Sequence, residues 1–359
     1  GEESVTMIHP RKMNLPMLGL GGSVGTGKKG ITAEVMVVSS FEELHKRADE
    51  AKNKIVLYHF PFTSYGDTRK YRTQGAIEAA KVGAKASLIR SLAPYSMQTP
   101  HTGGMNYEDG TKKIPHAAIT VEHAALIQRL RDRGERVTLT IHMEAETQGE
   151  AVTRNIIAEI EGSEYPEEIV VVGGHIDSWD VGQGAMDDAG GTFAAWEVLN
   201  VIRDLNLKPK RTVRLVMWTA EEIGLYGARK YRDIAQENGE IEHHVLAIES
   251  DGGVFKPKGF GFAGNDKQHN RMVEIGKLLK PIDAAFMNKG GGAPDISPLI
   301  REDVPGAGLL VDNSKYFWYH HSGADTIDKL NREDYNKCVA AMAVLTFVAA
   351  DMGESLQEL

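Results

Sequence analysis

Cysteine is nearly missing from this chain: Cys338 is the only one, so no intrachain disulfide can form and thiol chemistry says nothing about compartment. Positive charge is in deficit. Lysine and arginine number 41 against 50 aspartates and glutamates, a net charge of -9, which excludes the basic face that a nucleic-acid partner needs. No apolar run approaches the ~20 residues that span a bilayer. An Asn-X-Ser/Thr acceptor is absent, which counts against a secreted glycoprotein. An initiator methionine is lacking too. Gly1-Glu2-Glu3-Ser4 runs almost at once into strand-like Val5-Thr6-Met7-Ile8, so the expectation is a processed or cut chain whose targeting segment is missing rather than absent.

What is present suits a globular protein. With 42% hydrophobic and 25% charged residues, 359 residues can bury a sizeable core and build two domains. The first thirty residues hold a strand and one tempting motif, Gly22-Ser23-Val24-Gly25-Thr26-Gly27-Lys28-Lys29, close to a phosphate-binding loop. Lys29 stands where a hydroxyl must reach magnesium, and no helical pattern follows, so this stretch reads as a linker crossing between lobes. Residues 31–144 alternate short strands with helices. One helix is expected after the cap Ser40, another over Gly75–Val82, and a third over Val121–Asp132 after the cap Thr120. His101 and His116 are isolated here and read as structural or surface groups.

From Thr153 onward the units lengthen. Strands are expected over Ile169–Gly173, Thr212–Trp218, His244–Glu249 and Gly306–Val311, with helices after Asp188, over about Gly224–Glu237, and over Arg332–Met352. The fold class is therefore α/β, a mostly parallel mixed sheet covered by helices on both faces. In such sheets ligands sit at the carboxyl ends of the strands. Four strand ends deliver metal-type groups there. The apolar run Ile169-Val170-Val171-Val172 leads through two glycines to His175 and Asp177, then to the pair Asp187-Asp188. The next two strands deliver Glu221-Glu222 and Glu249-Ser250-Asp251; the aromatic run Tyr316-Phe317-Trp318-Tyr319 precedes His320-His321, with Asp325 beyond. Adjacent carboxylates in a glycine-rich loop repel each other unless a cation neutralises them. Carboxylates and imidazoles without thiolates suit zinc, with manganese or cobalt as alternatives. Five such ligands suit two ions about 3.5–4 Å apart that share a carboxylate.

These motifs resemble the co-catalytic zinc exopeptidase superfamily, which includes bacterial di-zinc aminopeptidases, glutamate carboxypeptidases and the non-catalytic transferrin receptor. The resemblance rests on the run from His175 to Asp188, on Trp218-Thr219-Ala220-Glu221-Glu222, on Glu249-Ser250-Asp251 and on His320-His321-Ser322. Tyr71 to Ala76 and Lys81 to Ala84 extend it into the first module, which then resembles the protease-associated domain inserted in the peptidase lobe. The implied organisation is a strand and linker of the peptidase lobe over 1–30, the inserted domain over 31–144 and the catalytic domain over 145–359. Members begin with a further segment ahead of Val5–Ile8, a point of departure.

The resemblance implies that Asp187 bridges two zinc ions, with Glu222 and His321 completing one site and His175 and Asp251 the other. His321 is preferred to His320 because Asp325 follows it by the family's four-residue spacing. Glu221 is implied as general base, Asp177 as the group behind His175, and the Asp187–Asp188 bond as cis. The implied activity is hydrolysis of short peptides, most simply dipeptides with free ends, through a hydroxide held between the ions. An aminopeptidase acting on longer peptides is the alternative within the class. A receptor-like protein is expected to have lost ligands, whereas every position here is filled. The resemblance further implies a homodimer, secreted or lysosomal, without a membrane span or a nucleic-acid partner.

Overall fold

The computed structural model describes residues 1–95 and 97–359. The chain forms two units: residues Gly1–Ala151 with Phe317–Ala324, and Val152–Tyr316 with Asp325–Leu359. Among the described residues the strands make two sheets, one of eight and one of seven.

The first unit contains β1 (Glu3–His9), β2 (Met13–Leu15), β3 (Met17–Gly19), β4 (Ile31–Val38), β5 (Ile55–Tyr58), β6 (Ala86–Arg90), β7 (His116–Ile119) and β8 (Thr138–Met143), in the sheet order β2-β1-β8-β4-β5-β6-β7-β3. The central strands β4 to β7 run parallel, and β5, β6 and β7 are buried along their whole length. Strands covered on both faces read as unbroken apolar runs, which is why Ile55-Val56-Leu57-Tyr58 shows no alternation. β8 does alternate: Leu139, Ile141 and Met143 turn inward while Thr138, Thr140 and His142 stay partly exposed. Ser40 and Thr120 cap the helices Phe41–Lys46 and Val121–Asp132 by accepting from the backbone N–H of Glu43 and His123. The helix expected over Gly75–Val82 begins ten residues earlier, at Tyr65, where Ser64 accepts from Asp67 N.

Residues 1–30 differ from the expectation. β1 pairs antiparallel with β8, Val5 opposite Ile141 and Met7 opposite Leu139, so this strand belongs to the first unit's sheet and not to a separate peptidase lobe. Its inward Val5 and Met7 join the same core as Leu139 and Ile141. The glycine-rich stretch 22–29 connects β3 to β4 within one sheet, so it is no crossing between lobes. The boundary expected after residue 144 falls after Ala151. His116 is fully buried; its Nδ1 accepts from Ser87 Oγ (2.8 Å) and its Nε2–H donates to Tyr71 O (3.1 Å). Desolvation pushes its pKa down to about 4, so it is a neutral core histidine.

The second unit contains β9 (Ile156–Ile160), β10 (Tyr165–His175), β11 (Arg211–Trp218), β12 (His244–Glu249), β13 (Pro257–Ala263), β14 (Phe286–Lys289) and β15 (Gly306–Val311), ordered β14-β13-β15-β12-β10-β11-β9. β15, β12, β10 and β11 run parallel, and antiparallel β9 and β13 flank them. This is the α/β architecture with a mixed sheet read from the sequence. Successive residues of β10 face opposite sides. Val170 and Val172 pack with the helices Gly190–Asp204 and Arg332–Asp351, whereas Ile169 and Val171 pack with Ala228 and Tyr231 of helix Tyr226–Glu237 and Leu299 of helix Ser297–Ile300. At about 25 cal/mol per Å2 of buried apolar surface, each of these valines contributes about 1.5–3 kcal/mol. No helix among the described residues is long and apolar enough to cross a membrane.

Candidate metal centre

The strand register lines up three carboxyl ends in the second unit. His175, the last residue of β10, stands opposite Trp218, the last of β11, and Gly173 stands opposite Glu249, the last of β12. The residues that follow each end therefore meet at one sheet edge, as the topology of open α/β sheets requires.

His175 is 1% exposed. Its Nδ1 lies 2.8 Å from the backbone carbonyl of Asp177, which can only accept, so Nδ1 carries the hydrogen. Nε2 points the other way and stands 3.1 Å from both Asp187 Oδ1 and Asp251 Oδ1. Asp177 lies behind the ring, its main-chain oxygen on Nδ1 and its Oδ1 3.9 Å from the same nitrogen, and its carboxylate also accepts from the backbone N–H groups of Glu221 (3.0 Å) and Glu222 (3.2 Å). Asp177 thus fixes both the ring of His175 and the backbone that presents the two glutamates. Trp179 Nε1 donates to Glu222 Oε2 at 2.6 Å.

Asp187 and Asp188 lie in a π-helical turn, Ala185–Ala189, and the peptide bond between them is cis. Asp325 accepts from Met186 N (2.7 Å) and Asp187 N (3.2 Å) and so holds the turn. Asp188 was read only as the neighbour of the bridging residue. Fully buried, it accepts from His175 N (3.1 Å) and Gly191 N (3.2 Å), tying the end of β10 to the start of the helix Gly190–Asp204. Two glycines make its seat: a Cβ on Gly174 would stand 2.6 Å from Asp188 Oδ2, and one on Gly191 2.3 Å from Oδ1.

Other acidic groups crowd the same place. Glu249, wholly buried, accepts from Asp295 N (3.3 Å) and Ile296 N (2.9 Å). The Asp295 carboxylate is buried beside it, and neither of its oxygens has a hydrogen-bond partner among the described residues. Glu249, Asp325 and Asp188 are named in the sequence motifs, but their roles as acceptors of backbone N–H groups, and the burial of the Asp295 carboxylate, do not follow from those motifs. The signal that existed was Asp295 following the run Gly290-Gly291-Gly292.

The electrostatics follow from burial and crowding. Burial alone would lower the pKa of His175, but its bonds to Asp187 and Asp251, with the charge of Asp188, raise it well above the ordinary value. Burial, then repulsion from Asp251, pushes Glu221 and Glu249 each up to about 8. Burial, then the charge of Glu249, lifts Asp295 to about 10. Asp188 and Asp251 are raised first by burial. Carboxylates forced together in low dielectric must bind protons or a cation.

A divalent cation fits the donors. Within the second unit, ligand atoms grouped within 4.8 Å form two trios, His175–Asp187–Glu222 and His175–Asp188–Asp251. Oxygen and nitrogen ligands about 2.0–2.1 Å from a tetrahedral zinc stand about 3.3 Å apart, close to the 3.1 Å from His175 Nε2 to each aspartate. His320 and His321 belong to the segment Phe317–Ala324 of the first unit, with stacked rings 3.5 Å apart. The structure thus brings His175, Asp187, Glu222, Asp251, Asp177 and Glu221 together in the second unit, while His321 is held in the first.

Residues 155–346 match the model of peptidase family M28. Carboxypeptidase Q of Homo sapiens is 50% identical over 356 residues, covering 99% of this chain and 75% of that protein. The crystal structure of a peptidase M28 precursor from Shewanella amazonensis is 34% identical, with a TM-score of 0.93 over 99% of this chain and 82% of that one. The zinc aminopeptidase of Bacillus subtilis, 20% identical with a TM-score of 0.70 over 99% of this chain and 84% of that one, shares the fold.

Proposed function

This chain belongs to peptidase family M28 and is a zinc metallopeptidase, and from that premise we propose an exopeptidase that hydrolyses short peptides, most simply dipeptides with free ends. Two zinc ions per chain would serve it, and His175, Asp187, Glu222, Asp251 and His321 are the residues that would hold them. The observation that carries this reading is the convergence of the His175 Nε2 lone pair with Asp187 and Asp251, each 3.1 Å away, while Nδ1 is committed to Asp177 O.

When bound, the ions acidify a water molecule and polarise the scissile carbonyl. Glu221 removes the proton of the attacking water and returns it to the leaving amine. Burial, then the charge of Asp251, raises Glu221 to about 8, and neutralising Asp251 would lower it. Asp177 keeps Glu221 in place through the backbone N–H it holds at 3.0 Å. Asp325 keeps the bridging residue in place through Asp187 N.

The test is Glu221→Gln. Zinc content should stay at the wild-type level while turnover on unblocked dipeptides falls about 10²–10⁴-fold. Full turnover with zinc retained would remove Glu221 from the mechanism. Dipeptides blocked at one end or the other then separate the reading from an aminopeptidase on longer peptides, which would tolerate a blocked carboxyl end. A homodimer and a secreted or lysosomal location accompany the proposal, and sedimentation of the purified chain checks the first.

A further inference from the structure

The loop His101-Thr102-Gly103-Gly104 of the first unit grips the segment that carries His321. Thr102 N donates to His321 O at 2.9 Å, and His101 Nδ1 donates to His320 O at 2.6 Å. The Thr102 carbonyl in turn lies 3.2 Å from His321 Nδ1. A carbonyl oxygen only accepts, so Nδ1 bears the hydrogen and the lone pair of the ring is on Nε2.

This carbonyl is itself held. Arg72, 7% exposed, directs Nη1 to Thr102 O (3.4 Å), Nε to Gly104 O (3.2 Å) and Nη2 to the Tyr65 hydroxyl (2.7 Å). The two lone pairs of Thr102 O serve both donors, the guanidinium and the imidazole. Gly103 is what lets the loop come so near: its φ is +137°, and a Cβ there would stand 2.3 Å from Arg72 Nη1. The loop is pinned to the sheet on both sides, by Thr102 Oγ1 to Gly19 O (2.8 Å) and by His101 N to Ser91 Oγ (3.0 Å). The second unit repeats the arrangement with different parts, where His175 Nδ1 donates to Asp177 O at 2.8 Å.

We propose that Arg72, acting through the Thr102 carbonyl, is a positioning residue that fixes His321 with its hydrogen on Nδ1 and presents Nε2 as the zinc ligand. This rests on the reading above that His321 holds one of the two ions. The loop that orients His321 and His321 itself belong to the same unit. A histidine ligand whose other ring nitrogen is anchored binds metal more tightly, and loss of such an anchor lowers metal affinity about 10–100-fold.

The experiment uses the full chain loaded with zinc and labelled with ¹⁵N-histidine. Long-range ¹H–¹⁵N correlations read the tautomer of each ring, and the His321 signals are those missing from His321→Gln. The expected spectrum has His321 protonated at Nδ1, and protonation at Nε2 overturns the proposal. In parallel, zinc is titrated against a chelator. Arg72→Leu should weaken one zinc equivalent about 10–100-fold and leave the other unchanged. If Arg72 were merely structural, Arg72→Leu would lower the melting temperature of the metal-free protein and leave both affinities intact, which also overturns the proposal. Should Arg72→Leu not fold, Tyr65→Phe keeps the ring and removes only the hydroxyl that anchors Nη2; it should weaken the same equivalent to a smaller degree. His321→Gln separates the two levels. If it retains both zinc equivalents at full affinity, the ligand reading fails. If it loses one while Arg72→Leu changes nothing, only the orienting role fails.

Discussion

His116 of the first unit and His175 of the second are both withdrawn from water, at 0% and 1% exposure. Both sit at strand ends, β7 beginning with one and β10 ending with the other. They titrate in opposite directions. His116 is pushed down to about 4 by desolvation, with a hydroxyl and a carbonyl as its partners. Desolvation acts on His175 in the same sense, but Asp187 and Asp251 on its Nε2 outweigh it. Burial therefore does not mark a functional histidine. The chemistry is in what faces the second ring nitrogen: satisfied neutral groups make a core residue, and converging carboxylates make a site for a cation.

The sharpest break to attempt is Asp187→Asn, which preserves shape and removes the charge. Zinc measured by atomic emission should fall for both ions, and activity should fall by more than the 10–100-fold expected from losing a supporting partner. His116→Gln, its counterpart in the first unit, should leave zinc content unchanged. A zinc-replete Asp187→Asn protein would erase the contrast between the two histidines.

Next in size is the effect of pH on the metal-free protein. Glu221 and Glu249 are raised from an ordinary 4.5 to about 8, and Asp295 from 3.8 to about 10. Groups with raised folded-state pKa hold protons that the unfolded chain has released, so stability is present below about 4 and is lost as the pH rises through about 8 for the glutamates and about 10 for Asp295. Urea midpoints of chelator-treated protein should decline across that window by several kcal/mol in total, and zinc should abolish the decline. A flat profile without metal would mean that the acidic groups are not crowded in solution.

The smallest effect belongs to the first unit and has the opposite sign. His116 and His101 are both depressed from 6.5 to about 4. Between those values the unfolded chain binds protons that the folded one does not, so stability is lost as the pH falls from 6.5 toward 4, on the order of 3 kcal/mol per histidine. His116→Gln should remove its share of that acid slope. An unchanged slope would show that the ring already titrates normally.

Much of this was legible in the chain. The strands ending at Trp218, Glu249 and Val311 and the helix Val121–Asp132 stand where the apolar runs and caps place them. Their common carboxyl edge follows from strand–helix alternation, which is why His175, Glu221-Glu222 and Glu249-Ser250-Asp251 stand out, while the choice of Glu222 and Asp251 among them came from the family resemblance. The start of helix Tyr65–Lys81 was hidden because Gly66 to Gln74 carries little apolar periodicity; only the Ser64–Asp67 cap betrays it. The holding roles of Asp188, Glu249 and Asp325 stayed hidden for another reason. Each is defined by backbone N–H groups it accepts from, often far along the chain, as from Ile296 to Glu249 or Met186 to Asp325. Backbone donors have no residue type, so no motif can announce them. For the same reason no motif tells that the main-chain oxygen of Asp177 takes the Nδ1 hydrogen of His175 while its carboxylate holds the backbone of Glu221 and Glu222.

The contrast between the units comes down to whether the buried acidic cluster is a cation site. Calorimetric titration of zinc into the metal-free full chain at pH 7, repeated in two buffers of different ionisation enthalpy, measures stoichiometry and proton release together. The expected result is two saturable equivalents with net release of protons, because His175, Glu221, Glu249 and Asp295 hold protons that the ions displace. No saturable binding, or binding that releases no protons, would contradict it.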